Sequence, residues 1–290
     1  DWNKKGQKLM ENDSHEEALQ AFDKAIEINK SYAFAWGGKG YVLYNIGRYE
    51  EAIASWDRAI ELEPDEFYSG SKWEMKGKVL EILGRNEESA QAYERALELA
   101  DKAVTEYKTS TDLNLSAAWG FKGQLLDEQG RYVEALEAMA NSSRANPEDA
   151  FAWAVMGDIL ADRLGRYNES IESYNKSLEI DPRNIGALRG EGYALASLGR
   201  YDEALNYYNR ALKIDSRFAR AWQGLGDALR NLGMYNESIQ AYDRAIAEMP
   251  QQPRYALIGK GMALDSLGRY EEAQKAYEES LKDYDNVIKK

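Results

Sequence analysis

Paired glutamates are the residues in this sequence that come nearest to a catalytic arrangement. They recur as Glu16-Glu17, Glu50-Glu51, Glu87-Glu88 and Glu271-Glu272, and paired carboxyls can serve general acid–base chemistry. His15 is the single histidine and cysteine is absent, so neither a Ser-His-Asp set nor thiolate chemistry is expected. The sequence contains no glycine-rich phosphate loop and no zinc-binding His-Glu-x-x-His motif. Because every pair follows a turn in the same register, the pairs predict helix starts favoured by the helix dipole, and we expect no enzyme activity, metal or cofactor.

The turn before each pair is a hexapeptide of the pattern Gly-Arg-Tyr-x-Glu-Ala. A glycine just past an apolar run can adopt the left-handed conformation that ends a helix. The pattern therefore predicts a tight turn between two helices. Full copies begin at Gly47, Gly130, Gly199 and Gly268, and looser copies begin at Asp13, Gly84, Gly165 and Gly233.

A large apolar residue stands eleven positions before the first residue of nearly every turn. These residues are Trp2, Trp36, Trp73, Trp119, Leu188, Trp222 and Leu257, while Trp153 stands twelve before its turn because of a one-residue insertion. A glycine follows four residues later, one helical turn along the same face, and its small size predicts close approach by a neighbouring helix. The glycines are Gly6, Gly40, Gly77, Gly123, Gly157, Gly192, Gly226 and Gly261.

The period of this pattern is 34 residues, as between Trp2 and Trp36 or between Trp119 and Trp153. A helix-turn-helix unit of this length resembles the tetratricopeptide repeat family. The resemblance implies an all-α fold, an α-solenoid in which about eight repeats form a right-handed superhelix. We expect a single domain over residues 1–290, with repeats at about 1–30, 31–64, 65–108, 113–146, 147–182, 183–216, 217–250 and 251–284.

The third repeat is longer than the others. Trp73 and Trp119 lie 46 residues apart, and the inserted sequence continues an apolar helical face through Leu99, Ala103 and Tyr107. We therefore predict that the second helix of this repeat is about three turns longer than its counterparts, with a polar loop at residues 109–112. The insertion is either a neutral lengthening between repeats or a ridge that contacts a partner.

Charge and hydropathy limit the classes of partner. The chain has 37 Lys and Arg against 50 Asp and Glu, a net charge of −13, with the acidic residues spread along the helices. Phosphate binding needs a basic stripe, so we expect no nucleic-acid partner. No apolar run reaches the length of a membrane span. The chain begins at Asp1 without methionine or an apolar leader, which we interpret as a processed or excised piece of a longer protein.

The tripeptide Asn-x-Ser recurs along the chain and admits a second interpretation of the compartment. In an exported chain these asparagines would be possible N-glycan acceptors, whereas in the cytoplasm, the default expectation, they are variants of the repeat. The repeated Asn-Glu-Ser after Tyr167 and Tyr235 favours duplication for two of them. The candidate acceptors are Asn12, Asn114, Asn141, Asn168, Asn175 and Asn236.

The resemblance implies a protein-protein interaction scaffold that binds a peptide or partner protein in its concave groove. The alternative is a structural or cell-envelope protein whose open ends associate head to tail. Family members that clamp a terminal carboxylate use Lys and Asn where this chain has Asn3 and Gln7, so that clamp is not expected.

The resemblance also implies which side chains face the groove, since the first helix of each repeat lines it. The expected set is aromatic early, acidic in the middle and basic late. We therefore expect a ligand with apolar groups first, basic groups next and an acidic group near Arg220 and Arg230. The groove residues are Phe34, Tyr41, Tyr44, Phe121, Asp127, Phe151, Asp158, Tyr193, Arg220, Asp227 and Arg230.

Overall fold

The computed structural model describes residues 1–64, 67–108 and 112–288, and its secondary structure is helical throughout these ranges. Most of the predicted polar loop, residues 109–111, lies outside them. The helices are α1 Trp2–Glu11, α2 His15–Ile28, α3 Ala33–Asn45, α4 Tyr49–Leu62, α5 Phe67–Ile82, α6 Asn86–Tyr107, α7 Asp112–Glu128, α8 Tyr132–Ala145, α9 Ala150–Asp158, α10 Tyr167–Ile180, α11 Ile185–Ser197, α12 Tyr201–Ile214, α13 Ala219–Asn231, α14 Tyr235–Glu248, α15 Arg254–Ser266 and α16 Tyr270–Ile288.

The helices fall into two compact units, Asp1–Ala145 with α1–α8 and Asn146–Lys290 with α9–α16. Within each unit a helix packs chiefly on its neighbours in sequence, and first helices of adjacent repeats also touch, as α11 does α13. This nearest-neighbour packing is that of a repeat solenoid, and the all-α fold is confirmed. Organisation as one domain over residues 1–290 stays a prediction. No helix among the described residues is long and apolar enough to cross a bilayer.

The turns have the predicted left-handed glycine. Gly47 has φ +76°, and the chain reverses through hydrogen bonds from Gly47 N to Tyr44 O at 3.0 Å and from Arg48 N to Leu43 O at 2.8 Å. This pattern closes the end of α3. In the first repeat Asp13 occupies the same place at φ 55°. The other left-handed glycines are Gly84, Gly130, Gly165, Gly199, Gly233 and Gly268.

The turn arginine holds the second glutamate of the repeated pair. Arg48 donates from Nε and Nη2 to the two carboxylate oxygens of Glu51 at 2.6 and 2.5 Å. This charge-assisted pair lowers the pKa of Glu51, and it orders a helix start. The carboxylates are thus engaged in the way that a helix-start role predicts. The same pair forms at Arg85–Glu88, Arg131–Glu134, Arg166–Glu169, Arg200–Glu203 and Arg269–Glu272.

The glycine that recurs four residues after the large apolar residue makes room for one large side chain from the second helix of its own repeat. A Cβ on Gly192 would lie 2.8 Å from the ring of Tyr208, and a Cβ on Gly224, in the next repeat, would lie 2.5 Å from the same ring. One ring therefore fills the space between two first helices. In the other repeats the side chain against the glycine is Phe22, Trp56, Tyr93, Met139, Tyr174, Tyr242 or Tyr277.

The one-residue insertion of the fifth repeat is absorbed as a π-helical turn. After α9 the chain continues as a π-helix over Ile159–Arg163, which accommodates an extra residue without ending the helix. The turn at Gly165 is retained, with φ +64°. Tyr174 still packs on Gly157, so the register of the repeat is preserved on both sides.

The twelve inserted residues of the third repeat lengthen two helices. The helix α6 has 22 residues against 14 in α2 and α4, and α7 has 17 against 13 in α3. The extension of α6 is eight residues, about two turns at 3.6 residues per turn rather than three. The remaining four residues extend the start of α7, which the apolar pattern did not indicate.

An ion pair joins several neighbouring repeats. Lys39 on α3 binds Asp23 on α2 at 2.7 Å, and Lys260 on α15 binds Asp243 on α14 at 2.6 Å. Lys76 and Asp57 make the corresponding contact. In each pair the lysine comes three residues after the large apolar residue of its repeat, which is Trp36, Trp73 or Leu257. The aspartate directly follows the ring that packs on glycine.

At the same position in the sixth repeat the lysine is replaced by Glu191. Its side chain is 2% exposed, and Oε2 is buried without a hydrogen-bond partner among the described residues. Burial raises the pKa of Glu191, although the hydroxyl of Tyr207 and the charges of Arg210 and Arg200 act in the opposite direction. A buried carboxylate of this kind costs free energy in its ionised form.

Alanine at Gly190 is expected to destabilise the second unit. Its Cβ would lie 2.4 Å from the buried Tyr174 ring, and overpacking of this kind costs about 1–3 kcal/mol. The helix-propensity gain from Gly to Ala, up to about 1 kcal/mol, only partly offsets that cost. Urea unfolding should show a lower midpoint for Gly190→Ala. Gly120→Ala is the control, since its Cβ would be 3.4 Å from Ser142; equal midpoints for the two variants would contradict the packing argument.

Replacing Glu191 by glutamine is expected to stabilise the protein at neutral pH. Because its folded-state pKa is raised, the contribution of Glu191 to wild-type stability is greatest below the unfolded-state pKa of about 4.3 and falls as pH rises through the folded-state value. The gain should therefore be present at about pH 7 and absent at about pH 4.

Urea midpoints of wild type and Glu191→Gln at the two pH values make this comparison. Glu203→Gln is the control, because the pKa of Glu203 is lowered by Arg200, and it should give no gain at neutral pH. A Glu191→Gln variant that loses stability at neutral pH would contradict the assignment.

Candidate functional site

Two adjoining cavities in the second unit contain several of the predicted groove residues. The first, here called the tyrosine cavity, has a volume of about 450 Å³ and lies among α11, α12 and α13. Cavities of this size suit a few side chains of a ligand. Its lining residues are Arg189, Tyr193, Ala196, Ser197, Tyr201, Tyr208, Arg220, Gln223, Gly224, Asp227, Ala228 and Asn231.

The second, here called the apolar cavity, has a volume of about 400 Å³ and lies among α13, α14 and α15. Arg220 and Gln223 line both cavities, so the two adjoin at these side chains. Its walls are mostly small or apolar. The lining residues are Ala219, Arg220, Gln223, Ala245, Met249, Gln252, Pro253, Arg254, Tyr255 and Ala256.

Tyrosine hydroxyls from second helices donate to aspartates on first helices in this unit. The hydroxyl of Tyr174 donates to Asp158 at 2.8 Å, and the hydroxyl of Tyr242 donates to Asp227 at 2.7 Å. The sixth repeat differs, because Tyr193 occupies the position that Asp158 and Asp227 hold in theirs. The two predicted acidic groove residues of this unit are therefore hydrogen-bonded to its own core.

The Tyr208 hydroxyl consequently makes no hydrogen bond with any residue that the structure describes. Tyr208 lines the tyrosine cavity, and its ring is 3% exposed, held between Gly192 and Gly224. Burial raises the pKa of this phenol, so it stays protonated at neutral pH. A fixed neutral hydroxyl directed at a cavity can donate to, or accept from, a bound ligand.

The two predicted arginines have different surroundings. Arg230 is partly buried, its Nε donates to the Tyr242 hydroxyl at 3.4 Å, and its Nη2 lies 4.0 Å from Asp227. Burial raises the pKa of Asp227, and the Tyr242 hydroxyl and Arg230 counteract that rise. Arg230 thus helps to hold Tyr242 and Asp227 in place.

Arg220 is exposed and forms no hydrogen bond or ion pair within the described part of the chain. Arg189, which lines the same cavity, donates to Asp158 at 3.2 Å. Of the two arginines that line the tyrosine cavity, Arg220 is therefore the one whose guanidinium remains available to a ligand. A guanidinium can bind a carboxylate through two parallel hydrogen bonds.

In the first unit, most of the predicted aromatic residues pack on other aromatic side chains. Tyr41 and Tyr44 lie against Trp56, with ring centroids at 5.7 and 6.4 Å. Phe121 meets Phe67 edge to face at 5.6 Å. These three side chains are partly buried, so their first contribution is to stability.

Other predicted residues remain partly or mostly exposed. Phe34 is 48% exposed beside Tyr68, at 6.3 Å between centroids, and Phe151 is 56% exposed in the first turn of α9. Asp127 is partly exposed near the end of α7. The structure does not bring Phe151 into either cavity of the second unit, and the binding role of all these residues stays a prediction.

A second polar cluster lies in the first unit. Lys78 on α5 lies between Glu74, at 2.6 Å, and Glu128, at 2.7 Å. Burial raises the pKa of Glu128, while Lys78 acts to lower it. Since the lysine bridges α5 and α7, this cluster ties neighbouring repeats together.

The serines of most Asn-x-Ser motifs have structural roles. Ser238 is fully buried and donates to Gly226 O at 2.8 Å, and Ser177 donates to Ala150 O at 2.7 Å. Ser116 and Ser142 lie 3.1 Å apart in the first unit. Helix packing therefore accounts for these serines without a glycan, and use of the asparagines as acceptors stays a prediction.

Sequence reasoning missed the contribution of second helices to the cavity. Tyr201 and Tyr208 come from α12, the second helix of the sixth repeat. Asn231, at the end of the first helix α13, also lines the cavity. A signal was present, because the sixth repeat has tyrosine at position 193 where the fifth and seventh have aspartate. That exchange leaves the hydroxyl of Tyr208 without the aspartate that accepts the hydrogen bond in the fifth and seventh repeats.

Comparison with known proteins gives matches to family models and to solved structures. Four models described as tetratricopeptide repeat match residues 33–66, residues 148–217, residues 195–261, and residues 2–32, 73–103 and 255–282. Together they cover most of the chain. No curated protein matches the sequence.

Among solved structures, a crystal structure of MamA is 24% identical with a TM-score of 0.52, covering 58% of this chain and 97% of that one. MamA from Desulfovibrio magneticus RS-1, residues 41 to the end, is 21% identical with a TM-score of 0.53, covering 59% and 96%. YrrB, described as a TPR protein with an unusual peptide-binding site, is 20% identical with a TM-score of 0.44, covering 82% and 97%. At these identities the likeness to MamA concerns the fold.

Removing the hydroxyl of Tyr242 is expected to cost stability, whereas removing that of Tyr208 is not. Tyr242→Phe leaves Asp227 without its donor at 2.7 Å, and a hydrogen bond to a charged group contributes about 1.5–3 kcal/mol. Tyr208→Phe is the matched control at the same position one repeat earlier. Urea unfolding of both variants makes the comparison; equal losses would show that the Tyr208 hydroxyl has an internal partner.

Proposed function

The chain belongs to the tetratricopeptide repeat family, and we propose that it is a non-enzymatic scaffold whose second unit binds an extended segment of a partner protein. The bound segment lies across the tyrosine cavity and the apolar cavity. The observation that carries the proposal is the pair of unengaged groups, the Arg220 guanidinium and the Tyr208 hydroxyl, that face the tyrosine cavity.

A scaffold role agrees with how this chain uses its acidic groups. The turn carboxylates are held by arginines, as in Arg200 and Glu203 at 2.6 Å. Asp158 and Asp227 accept hydrogen bonds from tyrosines of the core. These groups are committed to internal structure.

The chemistry of the cavity walls suits a peptide. Tyr193 and Tyr201 offer flat apolar faces with polar tips, and such residues are frequent anchors in protein interfaces. Gln223 and Asn231 carry amides that can bond to the N–H and C=O groups of an extended backbone. A peptide lying here would use pockets for side chains and amides for main-chain contacts.

A random linear peptide library displayed on phage and selected against the full chain tests this function. We expect enriched peptides that bind the wild type and bind Tyr193→Ala about tenfold more weakly or worse, the scale of an interface anchor. Tyr270→Ala is the matched control, because Tyr270 is 70% exposed at the start of α16 and lines neither cavity.

Two results would overturn the proposal. One is that selection yields no specific peptide. The other is that the selected peptides bind Tyr193→Ala as they bind wild type, in which case the exposed aromatic residues Phe34 and Phe151 become the next surfaces to examine. The alternative of a self-assembling or cell-envelope protein stays a prediction, and sedimentation velocity over a range of protein concentrations separates it from a monomeric scaffold.

A further inference from the structure

We infer that the segment bound by the second unit carries an acidic side chain flanked on one side by a large apolar residue. The carboxylate is held by Arg220, and the apolar side chain enters the apolar cavity. This inference rests on the proposed function and specifies the ligand for the same site.

Arg220 lies at the junction of the two cavities and is unengaged by the rest of the described chain. Arg230, the other arginine that the sequence placed in the groove, is bound to Tyr242. Arg189 is bound to Asp158. A ligand carboxylate can therefore pair with Arg220 without breaking an internal contact, which the other two would require.

The apolar cavity has a positive rim in a chain of net charge −13. Its lining includes Arg220 and Arg254, and no Asp or Glu among the described residues. Glu248, one residue before Met249 of the wall, is paired with Arg217 at 3.3 Å. An acidic ligand is attracted to this rim and repelled by much of the remaining surface, and such contrast favours one docking register.

The wall of the same cavity is suited to an apolar side chain. Ala219, Ala245 and Ala256 are buried at 6%, 4% and 4% exposure, and Met249 and Pro253 complete the wall. Tyr255 stands at the rim and is 68% exposed. Placing an aliphatic or aromatic side chain here removes apolar area from water on both partners, which favours binding.

The acidic group is expected to be an internal side chain of the ligand. Cavities lie on both sides of Arg220, and the tyrosine cavity also offers the Tyr208 hydroxyl. A segment that continues in both directions fills both, whereas a chain end at Arg220 leaves one of them empty. The ligand is thus an extended internal segment with its apolar neighbour on the α15 side.

The experiment is to sequence the peptides selected from the random phage library by the full chain and to measure their binding to variants by fluorescence anisotropy. We expect enrichment of Asp or Glu next to Leu, Met, Phe or Trp. Arg220→Ala should weaken binding about tenfold or more, since a charged pair is lost. Arg220→Lys should recover part of it, because lysine keeps the charge but not the bidentate geometry.

Two further binding measurements identify which ligand side chain meets Arg220 and which meets the apolar cavity. Arg220→Glu should bind a peptide in which the acidic residue is changed to lysine more tightly than the parent peptide. Tyr255→Ala should weaken peptides with the apolar residue more than peptides in which that residue is alanine. Arg244→Ala is the matched control, because this exposed arginine of α14 lines a different cavity with Trp222, and it should leave binding unchanged.

The outcomes distinguish this inference from the function on which it rests. Peptides that bind and depend on Tyr193 but contain no acidic residue, or that bind Arg220→Ala and Arg244→Ala alike, overturn the inference and leave the proposed function standing. Loss of binding on amidation of the peptide C-terminus would assign the carboxylate to a chain end and also overturn it. If no peptide is selected, both fail.

Discussion

In every repeat one bulky side chain of the second helix packs on a glycine of the first helix, and this contact is the constraint on which the repeat depends. The ring of Tyr174 lies against Gly157 of its own repeat and Gly190 of the next, and a Cβ at either glycine would come within 2.4 Å of it. The side chain closes the helical pair and also sets how near the next pair can approach. Since protein interiors are close-packed, a change at this point is transmitted to both neighbours.

The same constraint determines what the second unit can offer to a ligand. Because the ring is held between two first helices, its hydroxyl emerges on the side where those helices carry their polar residues. In the seventh repeat that hydroxyl meets Asp227, and the group is satisfied internally. In the sixth it makes no hydrogen bond to an acid among the described residues, and Tyr208 lines a cavity. A single exchange of aspartate for tyrosine at position 193 thus separates a structural repeat from one with available chemistry.

Much of the fold could be predicted from the sequence, because turn glycines, Trp-type residues and small residues recur at fixed spacing. The left-handed glycines and the helical pairs follow from local rules of backbone conformation and periodicity. What approaches the inner glycine could not be predicted in the same way, since the spacing predicted a neighbouring helix, whereas the nearest group at Gly192 is the ring of Tyr208. Division of the insertion between α6 and α7 also depends on packing that periodicity does not report.

The candidate site was less predictable than the fold. Face positions carried over from the tetratricopeptide repeat family identified Tyr193, Arg220 and Asp227. They did not reveal that Asp227 and Arg230 are held by Tyr242, since this depends on side chains from another helix. Nor did they indicate the apolar cavity, whose wall comes partly from the connection after α14.

The long helix α6 shows how such a chain tolerates a change in length. Lys122 pairs with Asp101, whereas the position equivalent to Asp23 and Asp57 is Glu94, seven residues earlier. Seven residues are close to two full turns, about 10 Å along the helix axis. The face of α6 that packs on the next repeat therefore keeps its direction and is shifted along the axis. The π-turn of the fifth repeat absorbs one residue by widening instead. The length of an insertion in these helices is therefore restricted. Whole turns, or a single local bulge, keep the packing face of the helix directed at the neighbouring repeat, whereas intermediate lengths would rotate that face away from it.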